Sequence, residues 1–353
     1  MKLLQNSSRT VLLALAAVVL APSTRMTATS FRAPASEECI ISAIAYLQIP
    51  GAPPMENGDI DFGCDTGNGY FSPLHLTKGQ VKSLKELAGN GDIHFGLSKI
   101  NIHGASFHDD GSITMSPSQI ISIVEEGDEP NPFDRRNKRD LQTGTGNKHF
   151  LLFRVTDVNG LVISDSPAVM SDKLYGTYGD RNNLKSQMAA CSVGKYTVVP
   201  GGKEGFDTSG IESAPGVIDI RLDISLDNLR STVINAALAK AQEVLRNHFK
   251  MPVDTPLTTF VDHTLFSLKD CFQECGWAAC ASVGSFYQFY VSGFYSFSGI
   301  QLHEHGHNMQ VIDSKDWTPL FIHNICVLTP SSPLYSLLIL EALMAKLTRI
   351  THA

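Results

Sequence analysis

The chain has 353 residues, 43% of them hydrophobic and 18% charged, with a formal net charge of −7 and an isoelectric point near 5.9. That apolar share can fill a real core and excludes wholesale disorder, while the acidic balance argues against a general nucleic-acid binder, which needs a basic face. The length fits two domains or one domain with removable segments, and seven cysteines is an odd number, so at least one is free, ligates a metal or pairs between chains.

The N-terminus reads as a secretory signal over residues 1–28. Lys2 and Arg9 give a positive start, and Val11 to Ala21 is an unbroken apolar run of eleven residues. Such a run is short for a spanning helix and right for a signal core. Pro22 hinders cleavage directly after Ala21, so the cut is expected somewhere in 21–30. No later stretch reaches ~18 apolar residues, so no membrane contact is expected once the signal is gone. The expected location is extracellular, where disulfides are permitted.

Residues 29–139 read as a small α+β segment. Glu37 to Leu47 suggests a short helix, and Thr77 to Ala88 a better one, with Thr77 as N-cap and Val81, Leu84 and Leu87 at helical spacing. Ile93 to His103 alternates like a strand, and Ile113 to Val124 holds another strand-like piece. Acidic residues at 125–129, then Pro130 and Pro132, then a basic run and a Gly/Thr-rich stretch mark a linker. Within it Arg136, Lys138 and Arg139 make an Arg-x-Lys-Arg pattern like the recognition site of furin-type processing proteases. At a domain boundary of a secreted chain this points to removal of a propeptide at Arg139, against the plainer reading of a solvated charge run.

From Lys148 the pattern is mixed α/β. Phe150 to Thr156 and Leu161 to Ile163 suggest a hairpin about the turn dipeptide Asn159-Gly160. Asn183 to Ala190 predicts a helix, Lys195 to Val199 and Val217 to Leu222 predict strands, and Leu229 to Phe249 predicts the longest helix, with an apolar face at Val233, Ala237, Ala241 and Val244.

Near the C-terminus stands His303-Glu304-His305-Gly306-His307. On a helix, residues four apart share a face, so His303 and His307 can offer nitrogens to one Zn²⁺. Glu304, one position on, can reach an attacking water without ligating the metal and serve as general base. A random shuffle of this composition produces the His-Glu-x-x-His pattern only about 0.015 times, so chance is a poor account of it. The surrounding Phe286, Tyr287, Phe289, Tyr290, Phe294, Tyr295 and Phe297 suit a buried helix and read mostly as plain core. Asp313 stands where a compact zinc-peptidase motif carries its third ligand, with His323 as fallback; Glu341 would be needed for a more distant carboxylate. His305 points to another face and reads as packed or solvated, while His149 and His263 read as ordinary histidines. Cys271, Cys275 and Cys280 fit disulfides involving Cys191 better than a metal cluster.

With those residues in view the chain resembles the gametolysin (autolysin) family of secreted zinc endopeptidases, related to the metzincins. The resemblance runs from about Lys148 to Met309 through FLLFRVTD (150–157), NLKSQMAACSVGKYTVVP (183–200), GVIDIRLDI (216–224), GWAACASVGSFYQFY (276–290) and GIQLHEHGHNM (299–309). It implies an α/β (α+β) fold with a metzincin-like zincin catalytic domain at 140–313, preceded by a propeptide. It also implies His303 and His307 as zinc ligands, Glu304 as acid/base, and extracellular-matrix or cell-wall glycoproteins as substrates, with no nucleic acid. The family pattern has a histidine where Asp313 stands and a methionine turn beyond it; residues 314–353 form a divergent tail. A second expectation is therefore a secreted homologue with a binding or structural role and no catalysis. For latency, Cys64 could place a thiolate on the zinc, against a Cys39–Cys64 disulfide.

Overall fold

The computed structural model describes residues 38–48, 60–65, 71–90, 92–124, 145–269 and 277–309. Its frame is a mixed sheet that runs through both the N-terminal and the C-terminal parts of the chain. The N-terminal strands are β1 (Glu38–Gln48), β2 (Ile60–Asp65), β3 (Phe71–His75), β4 (Lys99–Asn101), β5 (Ser106–Phe107) and β6 (Ile113–Thr114). The C-terminal strands are β7 (Gly146–Thr156), β8 (Tyr196–Pro200), β9 (Val217–Arg221), β10 (His263–Leu268), β11 (Trp277–Ser282) and β12 (Tyr287–Val291). The order is β5-β6-β3-β2-β1-β11-β12-β10-β7-β8, with β4 on β1 and β9 on β7.

Parallel pairing dominates around β7. β10 lies parallel to it on one side, while β8 and β9 share its other edge in succession, β8 along Gly146–Phe150 and β9 along Leu152–Thr156. β12 continues parallel to β10, and β11 then turns antiparallel. Both edges of β7 are therefore taken, which leaves no room for the hairpin expected at 150–163. Asn159-Gly160 still turns, with Gly160 at φ 82°, but the buried Asp157 holds it. Its carboxylate accepts from Leu161 N at 2.8 Å and from Leu226 N at 3.3 Å, so the chain leaves the sheet instead of folding back.

The segment expected as a helix at Glu37 to Leu47 is strand β1. Its even-numbered side chains Ile44 and Tyr46 enter the core beneath the long helix, and its odd-numbered Cys39, Ile41, Ala43 and Ala45 enter the N-terminal core. A strand buried on both faces loses polar alternation and reads as a continuous apolar run, which periodicity alone does not separate from a helix. The strand expected at Ile93 to His103 shortens to β4, because the residues before it form a turn in which Gly96 N donates to Ile41 O. Of Ile113 to Val124, β6 and an isolated bridge from Ile123 to Ile100 remain.

Three of the described helices start at side-chain caps. α1 (Lys78–Gly89) starts at Thr77, whose hydroxyl accepts from Gln80 N while Gln80 Oε1 accepts from Thr77 N, a reciprocal capping box. α2 (Pro167–Tyr175) has Ser166 as cap and a proline at its start. α3 (Leu184–Cys191) is capped by Asn183, and α4 (Arg230–Phe249) buries Val233, Ile234, Ala237, Leu238, Ala241 and Leu245 along one stripe. α5 (Ser298–Asn308) carries the His-Glu-x-x-His pattern. α4 packs one face of the sheet with Leu151, Phe153, Phe266 and Phe289, and α2, α3 and α5 pack the other with Phe150, Leu152, Leu265 and Tyr290. Among the described residues no helix is long and apolar enough to cross a membrane.

Candidate functional site

α5 follows β12 through the turn Ser292-Gly293 and a short 3₁₀ turn, Phe294–Ser296. This short connection lays the helix against the ends of β11 and β12. His303 and His307 fall on one face of α5, with their Nε2 atoms 3.1 Å apart and the rings nearly perpendicular at 89°. Two nitrogens at ordinary Zn–N distances on a tetrahedral ion stand about 3.3–3.4 Å apart, so the pair is spaced for two ligands of one metal. His303 is partly exposed and His307 buried. Glu304 is fully buried, and its charge adds to burial in raising both the Cys280 thiol and the Tyr290 phenol, which places the carboxylate beside β11 and β12.

The other faces of α5 are fixed by polar anchors. His305, fully buried, shares a 2.8 Å hydrogen bond between its Nε2 and the Tyr196 hydroxyl, and its Nδ1 faces Gln288 Nε2 at 3.3 Å. Since Gln288 Nε2 is a donor, Nδ1 accepts, and the network assigns the ring proton to Nε2. Burial, with His263 and Lys148 adding to it, lowers the His305 imidazole well below its ordinary pKa and keeps it neutral. Burial likewise raises the Tyr196 phenol, so it stays protonated. Gln288 Nε2 also donates to Asn308 Oδ1 at 2.6 Å, and its Oε1 accepts from the Tyr290 hydroxyl at 2.5 Å. Asn308 Nδ2 donates to Ser282 O at 2.8 Å and Tyr287 O at 3.1 Å, and Gly284 N donates to His307 O at 2.9 Å. At the other end Gln301 Nε2 donates to Tyr295 O and Lys173 O, and Ser298 Oγ bonds Asn182. The rotation of α5, and with it the direction of the two imidazoles, is set by these contacts.

His305 is thus packed, as expected for its face. His263 belongs to the same group, stacked 4.6 Å from Phe150 and edge-on to His305 at 4.7 Å. Tyr196, Gln288 and Asn308 were not legible as site residues, because the contacts that matter span 109 and 17 positions and no local spacing announces them.

Cys64 is bonded to Cys39 in a disulfide, so it presents no thiol to a metal, and the latency expectation gives way to the pairing. The pairing is natural: Cys39 on β1 and Cys64 on β2 sit on adjacent antiparallel strands with Cα atoms 5.4 Å apart. Cys191 is disulfide-bonded, and Cys280 is free and buried. Asp313 and His323, the processing residues Arg136, Lys138 and Arg139, and the signal segment 1–28 lie outside the described residues. Among the described residues no group of three or more His, Cys, Asp or Glu converges in a way that would hold a metal. His303 and His307 offer two of the donors that a zinc site needs, and among the described residues no third His, Cys, Asp or Glu joins them.

The fold and site define a mixed α/β protein built on one large sheet, with a histidine pair on a helix at the sheet's end. No family model, no curated protein and no solved structure matches the chain.

Proposed function

We propose that the chain is a secreted zinc-dependent endopeptidase, processed at Arg139, that hydrolyses peptide bonds of extracellular-matrix or cell-wall proteins. The observation that carries this reading is the approach of His303 Nε2 and His307 Nε2 to 3.1 Å on one face of α5. The similarity of 183–200 and 299–309 to gametolysins supports it. His303 and His307 would hold the ion, with Asp313 as the third ligand. When bound, zinc supplies Lewis acidity, polarising the scissile carbonyl and acidifying water.

The chain's own residues do the proton work. Glu304 accepts the proton of the attacking water at a carboxylate oxygen, holds it, and delivers it to the nitrogen of the leaving amine. It sits on the helix next to His303 and is sealed from bulk water, so the proton has few other destinations. The Tyr196–His305–Gln288 network keeps α5 from rotating, which holds the direction of both imidazoles.

The test is metal analysis and hydrolysis of an unfolded protein substrate by the purified, processed protein. The reading expects bound zinc and peptide-bond cleavage, both lost with His307→Ala. A protein that folds, holds no zinc and cleaves nothing is instead a secreted binding or wall protein.

A further inference from the structure

We infer that residues 38–124 stay bound to residues 145–309 when the linker between them is cut, so that the processed protein is a two-chain molecule with the N-terminal segment as a permanent half. The sheet is the first reason. β1 is an interior strand: it pairs with β2 from Ile40 to Ala45 on one side and with β11 from Ile44 to Gln48 on the other. Losing the segment would bare the edge of β11 and the apolar side chains that β1 covers, which is an aggregation hazard for a released enzyme.

The contacts across the divide resemble those of an obligate interface, apolar and buried at the centre with a few polar anchors. Ile44, Tyr46 and Phe71 belong to the same buried cluster as Trp277, Phe289 and the stripe of α4. Val283, from the C-terminal part, is buried in the N-terminal cluster of Ile41, Leu84 and Phe95. Tyr46 meets Trp277 edge-on at 5.9 Å, and Arg230 lies 4.1 Å over the Tyr46 ring while pairing with Asp61 at 2.5 Å. Asn235 on α4 reads both backbone groups of Phe71, accepting from its N–H at 3.1 Å and donating to its carbonyl at 2.9 Å. Gly96 lies so close to Gly284 that an added Cβ would meet the Gly284 oxygen at 2.7 Å, and Gly284 N is the donor to His307 O. The N-terminal segment therefore abuts the turn that fixes the second histidine. No covalent bond holds the two parts, because Cys39 and Cys64 are the segment's only cysteines and they pair with each other.

The inference concerns association and stands or falls without any peptidase activity. Purified intact protein is cut within 125–144, by a furin-type protease at Arg139 or by a site-specific protease at a sequence inserted there, and then run by size exclusion without denaturant. The two fragments are expected to elute as one complex and to stay together on dilution to nanomolar concentration. Fragments that separate on the column, with 145–353 alone remaining folded, would overturn it. The double variant Arg230→Ala/Asn235→Ala, checked by circular dichroism before cutting, is expected to weaken association of the fragments about 100-fold. Unchanged association in that variant would overturn the interface assigned to α4.

Discussion

His303 Nε2 and His307 Nε2 stand 3.1 Å apart on one face of α5, while His305, between them in sequence, turns away to bond Tyr196 at 2.8 Å. The three imidazoles of one short helix thus divide into a pair whose Nε2 atoms meet on one face and a third that anchors the helix. The division follows from helical geometry, since positions four apart share a face and the intermediate one does not.

If Glu304 moves the proton, Glu304→Gln should lower kcat by at least 10²-fold while leaving bound metal unchanged, in line with the usual worth of a positioned general base. The comparison is kcat against metal content for the two proteins under the same conditions. Hydrolysis that survives in the variant would remove Glu304 from the reaction.

The anchor has its own expectation. Tyr196→Phe deletes the hydroxyl bonded to His305 and leaves a buried imidazole N–H unsatisfied, at a cost of about 1–3 kcal/mol in stability. Because the loss also frees α5 to rotate, metal affinity should fall as well. Equilibrium denaturation paired with a metal-binding titration separates this positioning role from a purely structural one, which would lower stability alone.

Acid should destabilise the protein through His263. Burial, with smaller repulsion from Lys148 and Lys203, lowers its pKa from 6.5 to about 3. Between those values the unfolded chain carries a proton on this imidazole and the folded chain does not. Stability therefore falls as pH drops through that window, by about 1.4 kcal/mol per pH unit for this one group. His263→Gln should make the pH dependence of unfolding between pH 6 and about 4 shallower by about 1.4 kcal/mol per pH unit, with the buried neutral His305 still contributing. An unchanged slope would mean that His263 is not the group responsible.

The disulfide offers a fourth check. Cys39 and Cys64 close a loop of 25 residues, for which the chain-entropy estimate is about 3.5 kcal/mol. The Cys39→Ala/Cys64→Ala variant should lose stability of that order in chemical denaturation, with its metal content intact. A metal content that rises or falls with the bridge would tie Cys64 to the metal after all.

Local signals carried α1, α3 and α4, while α2 went unread and β1 was taken for a helix. Thr77 was readable as a cap because a side-chain cap acts within three residues of the helix it starts. The spacing of His303 and His307 was readable for the same local reason. β1 was not, since its apolar run is explained only by β2 and β11 on its two sides, the latter more than two hundred positions away. The expected hairpin at Asn159-Gly160 failed because parallel strands from later in the chain had claimed both edges of β7. Tyr196 and Gln288 as anchors of His305 are likewise products of tertiary packing, and no motif around them says what they hold.

The central claim is that His303 and His307 hold a zinc ion, and zinc stoichiometry of the purified processed protein tests it most directly. The account predicts one zinc per chain, retained by Glu304→Gln and lost by His303→Ala and His307→Ala. A folded protein with no zinc, or one whose zinc survives loss of both histidines, would contradict it.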